Sequence, residues 1–450
     1  KPMVSFSTSQ QLSGRSYNQK YLSPENYIKY TNARKGYEDL TNTSWMSFLE
    51  KENYEKGKVT DWLDITTQTG HTQNYNLSVS GRTSNSNYYV ALGHSGQKGI
   101  QIGNEFVRNN ISTNLSTNIT NSIEIGTNFA YTNSVDNSNS AGTDVSHSPY
   151  AEPYLPDGKT LRYYIEGVNS ASYNPLWNTQ YGPDKDNRRY NFNLGGYVNV
   201  KFPWVEGLSY RMNISYTEIG SKNYSFTHEN ATPQFLSNDY EGKGQSSEYY
   251  KLSSAEGSVS SSISRNWVID NILSYAKQFG AHYVSASLVY TRDSAESTGE
   301  SMTGKDFSTA GNTILGWYGL ENANVKTFTS PSYSLHTDVG YLARVMYSYN
   351  DKYHFNASIR RDGSSVFGEE NKWGNLPAVG AAWTISKEDF MKQYTWIDML
   401  KLKASWGKNG AQTLSPYGTL STIALAKKGG IPNYYGGTIH WGQKLSTLGN

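Results

Sequence analysis

Residues 338–407 contain four segments in which apolar and polar side chains alternate. Successive side chains of a β-strand point to opposite faces, so a period of two predicts strands with one apolar face and one wet face. Asp351 separates the first two segments by a single turn, which indicates an antiparallel pair. The apolar positions are Tyr341, Ala343, Val345, Tyr347 and Tyr349, then Tyr353, Phe355, Ala357 and Ile359, then Val379, Ala381, Trp383 and Ile385, and finally Leu402, Ala404 and Trp406.

Strands of this kind occur both in soluble sandwiches and in membrane barrels. Only 36% of the chain is hydrophobic, and its mean hydropathy is -0.67. These values are compatible with a barrel, because a barrel strand shows only alternate residues to lipid. The net charge of +2 gives no electrostatic basis for binding nucleic acid. The absence of cysteine from the sequence excludes disulfides and thiolate metal sites.

The lengths of the connections favour the barrel. Long polar connections alternate along the chain with tight turns, so every tight turn falls at one end of the sheet. Transmembrane β-barrels have this asymmetry, with short periplasmic turns and long extracellular loops. We therefore predict an all-β, antiparallel transmembrane barrel whose long loops contain short helices. The long connections are 12–72, 135–187, 219–265, 293–336 and 410 onward, and the tight ones are 81–87, 120–121, 203–207, 280 and 351.

The apolar faces carry no charged residue in the middle of a strand. A Lys or Arg facing lipid at the bilayer midplane costs roughly 2–4 kcal/mol, so this absence agrees with a lipid-facing surface. Aromatic side chains also gather next to the tight turns, which predicts a girdle at the periplasmic interface. Its members are Tyr88, Tyr89, Trp204, Phe279, Tyr349 and Tyr353.

About thirteen strands are expected over residues 1–450, which we interpret as one partial barrel. Single-chain bacterial barrels have even strand numbers and close on themselves, so we expect further strands from a longer polypeptide. The chain opens on a strand-like stretch without a signal peptide, which predicts a processed chain or a fragment.

A series of short motifs, in order along the chain, resembles the barrel of the SusC/RagA family of TonB-dependent outer-membrane transporters. Each motif alone is weak, but together they are specific. Val366 departs from the family pattern, which often has a basic residue there. The motifs are 60–64 (TDWLD), 73–81 (QNYNLSVSG), 87–93 (NYYVALG), 156–158 (PDG), 174–176 (NPL), 361–365 (RDGSS), 367–368 (FG), 373–374 (WG), 377–383 (PAVGAAW) and 400–407 (LKLKASWG).

The resemblance implies a barrel of about 22 strands in the outer membrane of a Gram-negative cell, with a plug in its lumen. The plug domain and the last strands would lie outside this sequence. The implied partners are a SusD-like surface lipoprotein, the TonB–ExbB–ExbD complex acting through a missing N-terminal region, an oligosaccharide or peptide ligand, and outer-membrane lipid including lipopolysaccharide. Pairs of transporter and lipoprotein could also assemble as a dimer.

Two groups of residues are candidates for function. Aromatic rings in the long loops can stack on sugar rings, although they can equally pack the loops against one another or against a lid protein. These rings are Trp177, Trp317, Tyr318, Tyr434, Tyr435 and Trp441. Basic residues at polar strand positions are expected to face the lumen and pair with the plug. They are Arg344, Arg360, Lys401 and Lys403.

No catalytic motif, metal-ligand spacing or cofactor site is apparent, so we do not expect an enzyme. The function that the resemblance implies is TonB-dependent import of oligomeric nutrients, oligosaccharides or oligopeptides. Two alternatives remain open, a passive porin-like channel and a surface adhesion or structural protein that is anchored by a barrel.

Overall fold

The computed structural model describes most of the chain, and the account below concerns the described residues only. They are 1–15, 22–142, 147–166, 173–228, 234–235, 249–250, 255–307, 313–412, 414–418, 422–425, 433–435, 438–440 and 443–447.

Thirteen strands form a single sheet in which each strand pairs with its neighbours in chain order, always antiparallel. Three small two-stranded sheets are separate from it: β8 with β9, β16 with β19, and β17 with β18. The large sheet contains β1 (Met3–Ser13), β2 (Gly70–Arg82), β3 (Ser86–Lys98), β4 (Glu105–Asn118), β5 (Ile123–Val135), β6 (Asp184–Lys201), β7 (Leu208–Thr227), β10 (Glu256–Phe279), β11 (His282–Phe307), β12 (Ala323–Tyr349), β13 (Tyr353–Ser364), β14 (Trp373–Thr384) and β15 (Lys401–Gly407). The small sheets contain β8 (Gln234–Phe235), β9 (Tyr249–Tyr250), β16 (Thr422–Leu425), β17 (Asn433–Tyr435), β18 (Thr438–His440) and β19 (Gln443–Thr447).

The helices are short and lie in the connections. The Ser23 side chain accepts a hydrogen bond from the Asn26 N–H and caps the first helix, Pro24–Lys35 (α1). None of the described helices is long and apolar enough to cross a membrane. They are α1 (Pro24–Lys35), α2 (Phe48–Glu55), α3 (Trp62–Thr66) and α4 (Trp177–Tyr181), with 3-10 helices at Gly316–Asn322, Glu369–Asn371, Ile385–Lys387 and Asp389–Met391.

The strand register joins the apolar positions of different strands into one surface. Val345 of β12 lies opposite Ala357 of β13, which lies opposite Val379 of β14 and then Trp406 of β15. The larger of these side chains are exposed, with Val345 at 47% and Trp406 at 63% of full exposure. A sandwich would bury this face against a second sheet, whereas a barrel leaves it for lipid. The exposed apolar face therefore supports the predicted barrel wall.

Four strands extend well beyond their apolar segments. Residues 219–227, 256–265, 293–307 and 323–336 belong to β7, β10, β11 and β12, so the predicted loops 219–265 and 293–336 were too long. Above the membrane both faces of a strand meet water, so the alternation of polarity disappears there. The backbone hydrogen bonds between the strands do not depend on that alternation, and the ladder continues.

The tight turns between strands gather at one end of the wall, as predicted. Gly207 and Gly280 adopt positive φ angles of 89° and 55°, and Asn350 and Asp351 do so at 51° and 52°, as tight hairpins require. The remaining connection at this end, 385–400, is longer and contains the last two 3-10 helices.

An aromatic row lies beside these turns on the outer face. Tyr349 stacks on Tyr353 at 6.4 Å between ring centroids, and Tyr353 stacks on Trp383 at 6.5 Å. In the connection below this row, hydrogen bonds from Trp383, Tyr353 and Lys352 lower the pKa of Glu388 to about 2.

One residue of the predicted aromatic girdle was wrong: Tyr89 pairs with Ser80 and belongs to the polar face. A two-tyrosine run at a strand end must place one ring on each face.

Candidate functional site: the inner wall and the loop assembly

The face opposite the apolar surface is lined by Asn, Ser, Thr and Gly, with a few charged groups. On this inner face the Tyr197 hydroxyl donates to the Glu124 carboxylate at 2.7 Å, and the Arg211 guanidinium lies 4.0 Å from the centre of the Tyr197 ring. Strands β5, β6 and β7 contribute one residue each to this group. A wall of this polarity can surround water, a polar solute or a polar protein domain.

The four basic residues proposed for the lumen occupy inner-face positions. Arg344 lies opposite Ser358, and Lys401 and Lys403 pair with Thr384 and Ala382. Arg360 differs from the others, because its Nε donates to both carboxylate oxygens of Asp362 at 2.7 and 2.8 Å. Arg360 is therefore already paired with Asp362, a carboxylate of the same strand. Pairing of these residues with a plug stays a prediction.

A second polar group on the inner face was missed by sequence reasoning. Ligand atoms of Asp293, His336 and Asp338 all lie within 4.8 Å of one another, on β11 and β12. The His336 Nε2 is 3.8 Å from an Asp338 oxygen. The residues are far apart in sequence and meet only through strand pairing, so no short spacing reveals them. Carboxylates and imidazole also gather at wet surfaces without a metal, and we assign none here.

The long connections at the other end of the wall pack into a compact unit. We call the described residues of 22–69 and 136–182 the loop assembly. Trp62 is its largest fully buried side chain, with 1% exposed, and packs with Ala151 and Ile165. The Trp62 indole N–H donates to the Ser148 carbonyl at 2.8 Å, and the Asn53 amide donates to the Tyr150 carbonyl at 2.9 Å. Side chains of one loop thus satisfy buried carbonyls of the other.

Three of the motifs that resemble the SusC/RagA family meet in the loop assembly. The first supplies Trp62. In the second, the Asp157 side chain accepts hydrogen bonds from the backbone N–H groups of Lys159 and Thr160, which fixes a turn. In the third, the Asn174 amide donates to the carbonyls of Pro153 and Arg162 at 2.7 and 2.8 Å. In this structure these motifs hold the loops together.

The candidate substrate-binding aromatics lie in different environments. Trp177 is buried in the loop assembly, where it stacks on Tyr181 at 4.3 Å between ring centroids, so it forms part of the loop core. Tyr434 and Tyr435 belong to β17, and Trp441 lies outside the described residues. A role of these rings in binding substrate stays a prediction.

Trp317 and Tyr318 lie on the outer side of the wall. Their 3-10 helix covers Phe226, whose strand position is in line with outward-facing Tyr210. Tyr318 is 76% exposed, and its ring centroid is 6.4 Å from that of Tyr224. These two rings therefore face away from the lumen, and their contact with a ligand or with a lid protein stays a prediction.

The loop assembly contains a buried carboxyl group, and its stability is expected to depend on pH. Glu50 is 5% exposed and accepts from the Ser47 N–H in the capping box of α2. Burial raises the pKa of Glu50 above the ordinary 4.5, and the nearby Glu166 raises it further. The folded loops disfavour the ionised form. They are therefore most stable below the ordinary pKa and lose stability as the pH rises towards the raised pKa.

Replacing Glu50 by Gln is expected to slow cleavage of the loop assembly by an added protease at pH 8 and to change it little at pH 4. The amide oxygen of Gln can still accept from Ser47, while the buried charge is gone. The matched control is Glu55→Gln, because Glu55 is exposed in the same helix. Faster cleavage of the Glu50→Gln protein at pH 8 would contradict this assignment.

Comparison with known proteins agrees with this architecture. No family model matches the sequence. The TonB-dependent receptor P3 of Formosa agariphila is 27% identical over 390 residues, which cover 83% of this chain and 36% of the relative. The TonB-dependent receptor SusC of Bacteroides thetaiotaomicron is 24% identical over 418 residues, which cover 86% of this chain and 39% of that protein. The chain thus spans little more than a third of the length of these curated relatives.

Solved structures share the fold over the whole chain. The RagAB peptide transporter superposes with a TM-score of 0.76 at 16% identity, and the open-open state of the RagAB peptide importer does so with 0.79 at 17%. Both matches cover 100% of this chain and about half of the solved one, 51% and 50%. The resemblance to the SusC/RagA family is confirmed. The SusC-like chain is part of a β-barrel of the outer membrane, and its relatives are named as receptors and transporters rather than enzymes, as predicted.

Proposed function

We propose that this SusC-like chain supplies about thirteen strands and the extracellular loop assembly of a TonB-dependent importer of oligomeric nutrients. One observation carries the proposal: the wall formed by the described strands is apolar outside and polar inside, and its hairpin turns lie at the end opposite the packed loops. Such a wall can surround a water-filled passage through the membrane. Further strands and a plug would come from the remainder of the protein.

The inner-face basic residues fit a plug-filled lumen. Arg344, Lys401 and Lys403 take part in no ion pair between described residues, and carboxylates of a plug domain would complement them. A SusD-like lipoprotein would close over the loop assembly, which offers a rigid platform because its loops share buried hydrogen bonds. The substrates proposed are oligosaccharides or oligopeptides.

Uptake of labelled oligomers by cells is expected to stop when a protonophore collapses the proton-motive force or when TonB is deleted. A TonB-dependent importer needs that energy to displace its plug, whereas a passive channel does not. The control is entry of a small solute through general porins, which should continue. Oligomer uptake that persists without TonB would favour the porin-like alternative. Normal uptake with lost attachment after deletion of the gene would favour the surface anchor.

The choice between glycan and peptide follows from the same assay. Unlabelled oligosaccharides and oligopeptides are added separately as competitors, and the class that reduces uptake in cells with TonB identifies the cargo.

Deleting the gene for the lipoprotein partner is expected to reduce uptake without removing the barrel from the membrane. Unchanged uptake would contradict the proposed partnership.

A further inference from the structure

An open groove crosses the outer face of the wall between β7 and β14. Its volume is about 560 Å³, and the side chains of Leu288, Tyr290, Tyr341 and Ile359 form its sides around the small Ala343. Leu288 is 56% exposed and Ile359 is 53% exposed, so the groove is open to the medium outside the barrel. In a membrane this medium is lipid. A concave apolar surface of this kind can hold a hydrocarbon chain in a fixed place.

Two arginines lie on the outer face just beyond the apolar side chains of this groove, on the side away from the tight turns. The Arg361 guanidinium is 5.0 Å from the centre of the Trp373 ring and lines the groove. The Arg292 guanidinium is 5.8 Å from the Trp267 ring. Both arginines belong to the outer face, on β11 and β13, with β12 between them. The aromatic faces stabilise the two cations and hold them towards the outside of the wall.

Neither arginine takes part in an ion pair between described residues. Arg265 of the same face is different: its Nε is 2.9 Å from Glu218 and its Nη1 is 3.7 Å from Glu296. The protein thus neutralises one outward arginine with its own carboxylates and leaves two others to the surroundings. On an outer surface in contact with lipid, the complementary partner is an anionic headgroup.

The position of Arg361 along β13 agrees with headgroup level. A tilted strand rises by about 2.5 Å per residue along the membrane normal, so Arg361 lies roughly 20 Å beyond Tyr353 of the periplasmic aromatic row. The apolar band of such barrels is about 25 Å tall. Arg361 therefore lies near the extracellular edge of the band, where lipid phosphates are found, with the groove below it in the hydrocarbon region.

We propose that this surface binds a phosphorylated glycolipid of the outer leaflet, of the lipid A type. Phosphate groups of its headgroup contact the guanidinium groups of Arg292 and Arg361, and one acyl chain occupies the groove below them. A planar guanidinium donates two parallel hydrogen bonds to a phosphate, which gives the contact its direction. The site requires the wall to stand in the outer membrane. It does not require import, so either proposal can fail without the other.

Native mass spectrometry of the full-length protein with added bis-phosphorylated lipid A tests the site. The double variant R292Q/R361Q is expected to bind lipid A about tenfold more weakly than the wild type, because two charge-assisted contacts are lost. R265Q is the matched control and is expected to bind like the wild type, since Arg265 is already paired. Heat-modifiable gel mobility checks that each variant is folded.

A second measurement keeps the test independent of any folding defect in the variants. The wild-type protein is offered dephosphorylated lipid A, which is expected to bind about tenfold more weakly than the bis-phosphorylated form. Equal binding of the two lipids would overturn the proposal, as would equal binding of bis-phosphorylated lipid A by the folded double variant. Phosphatidylglycerol that competes as well as lipid A would show that the surface selects any anionic lipid, which would overturn the glycolipid assignment.

Discussion

Replacing Val345 by arginine is expected to prevent most of the protein from assembling in the outer membrane. Val345 lies on the outer face between Ala286 and Ala357, and 47% of it is exposed. A lipid-facing arginine near the middle of a barrel strand costs roughly 2–4 kcal/mol, a large share of the stability of a folded protein. The measurement is the amount of heat-modifiable, folded protein in the outer-membrane fraction.

The matched control is Asn356→Arg. Asn356 belongs to the neighbouring strand and the inner face, where it lies opposite Met346 and Gly380. An arginine at this position can extend into the lumen and remain hydrated, so assembly is expected to stay close to that of the wild type. Equal loss of folded protein for the two variants would show that the two faces of the wall have been assigned wrongly.

Trp62→Ala is expected to open the loop assembly while the barrel wall remains. The substitution removes a fully buried ring and leaves the Ser148 carbonyl without its indole donor. Truncation of a buried Trp or Phe to Ala costs about 3–5 kcal/mol. The loop assembly has little other core to compensate, because its apolar clusters are small. Protease added to intact cells should cleave the variant within residues 22–69 or 136–182, and oligomer uptake should fall.

Tyr318→Ala is the control for this variant. Tyr318 is an aromatic residue on the same side of the membrane, but it is 76% exposed. Its removal costs little packing, so the protease pattern is expected to match that of the wild type. A Trp62→Ala protein that resists protease as well as the Tyr318→Ala protein would contradict the role assigned to Trp62.

The wall could be predicted from the sequence because the bilayer imposes a simple rule on it. Residues that face the hydrocarbon core of the bilayer are predominantly apolar, so Val345, Ala357 and Val379 mark the outer face before any partner strand is known. A shift of register by one residue would turn all of them inwards, and the pattern therefore also constrains the pairing. The alternation of tight and long connections then predicts which end of the wall faces the periplasm and which faces the outside of the cell.

The parts that were missed lie where this rule stops applying. Strands β11 and β12 continue above the membrane through residues in which polarity no longer alternates, and only backbone pairing reveals them. Trp177 could be recognised as a loop aromatic, but its burial against Tyr181 depends on how two distant loops pack. The group of Asp293, His336 and Asp338 likewise forms only when β11 and β12 pair.

Site-directed spin labelling of β13 measures the orientation of the wall most directly. The chain contains no cysteine, so single cysteines can be placed at each position from 353 to 360 and labelled. We expect labels at 353, 355, 357 and 359 to be relaxed by oxygen dissolved in lipid, and labels at 354, 356, 358 and 360 by a water-soluble nickel complex. Labels that show no alternation between the two reagents, or a reversed one, would contradict a cylinder that is apolar outside and watery inside.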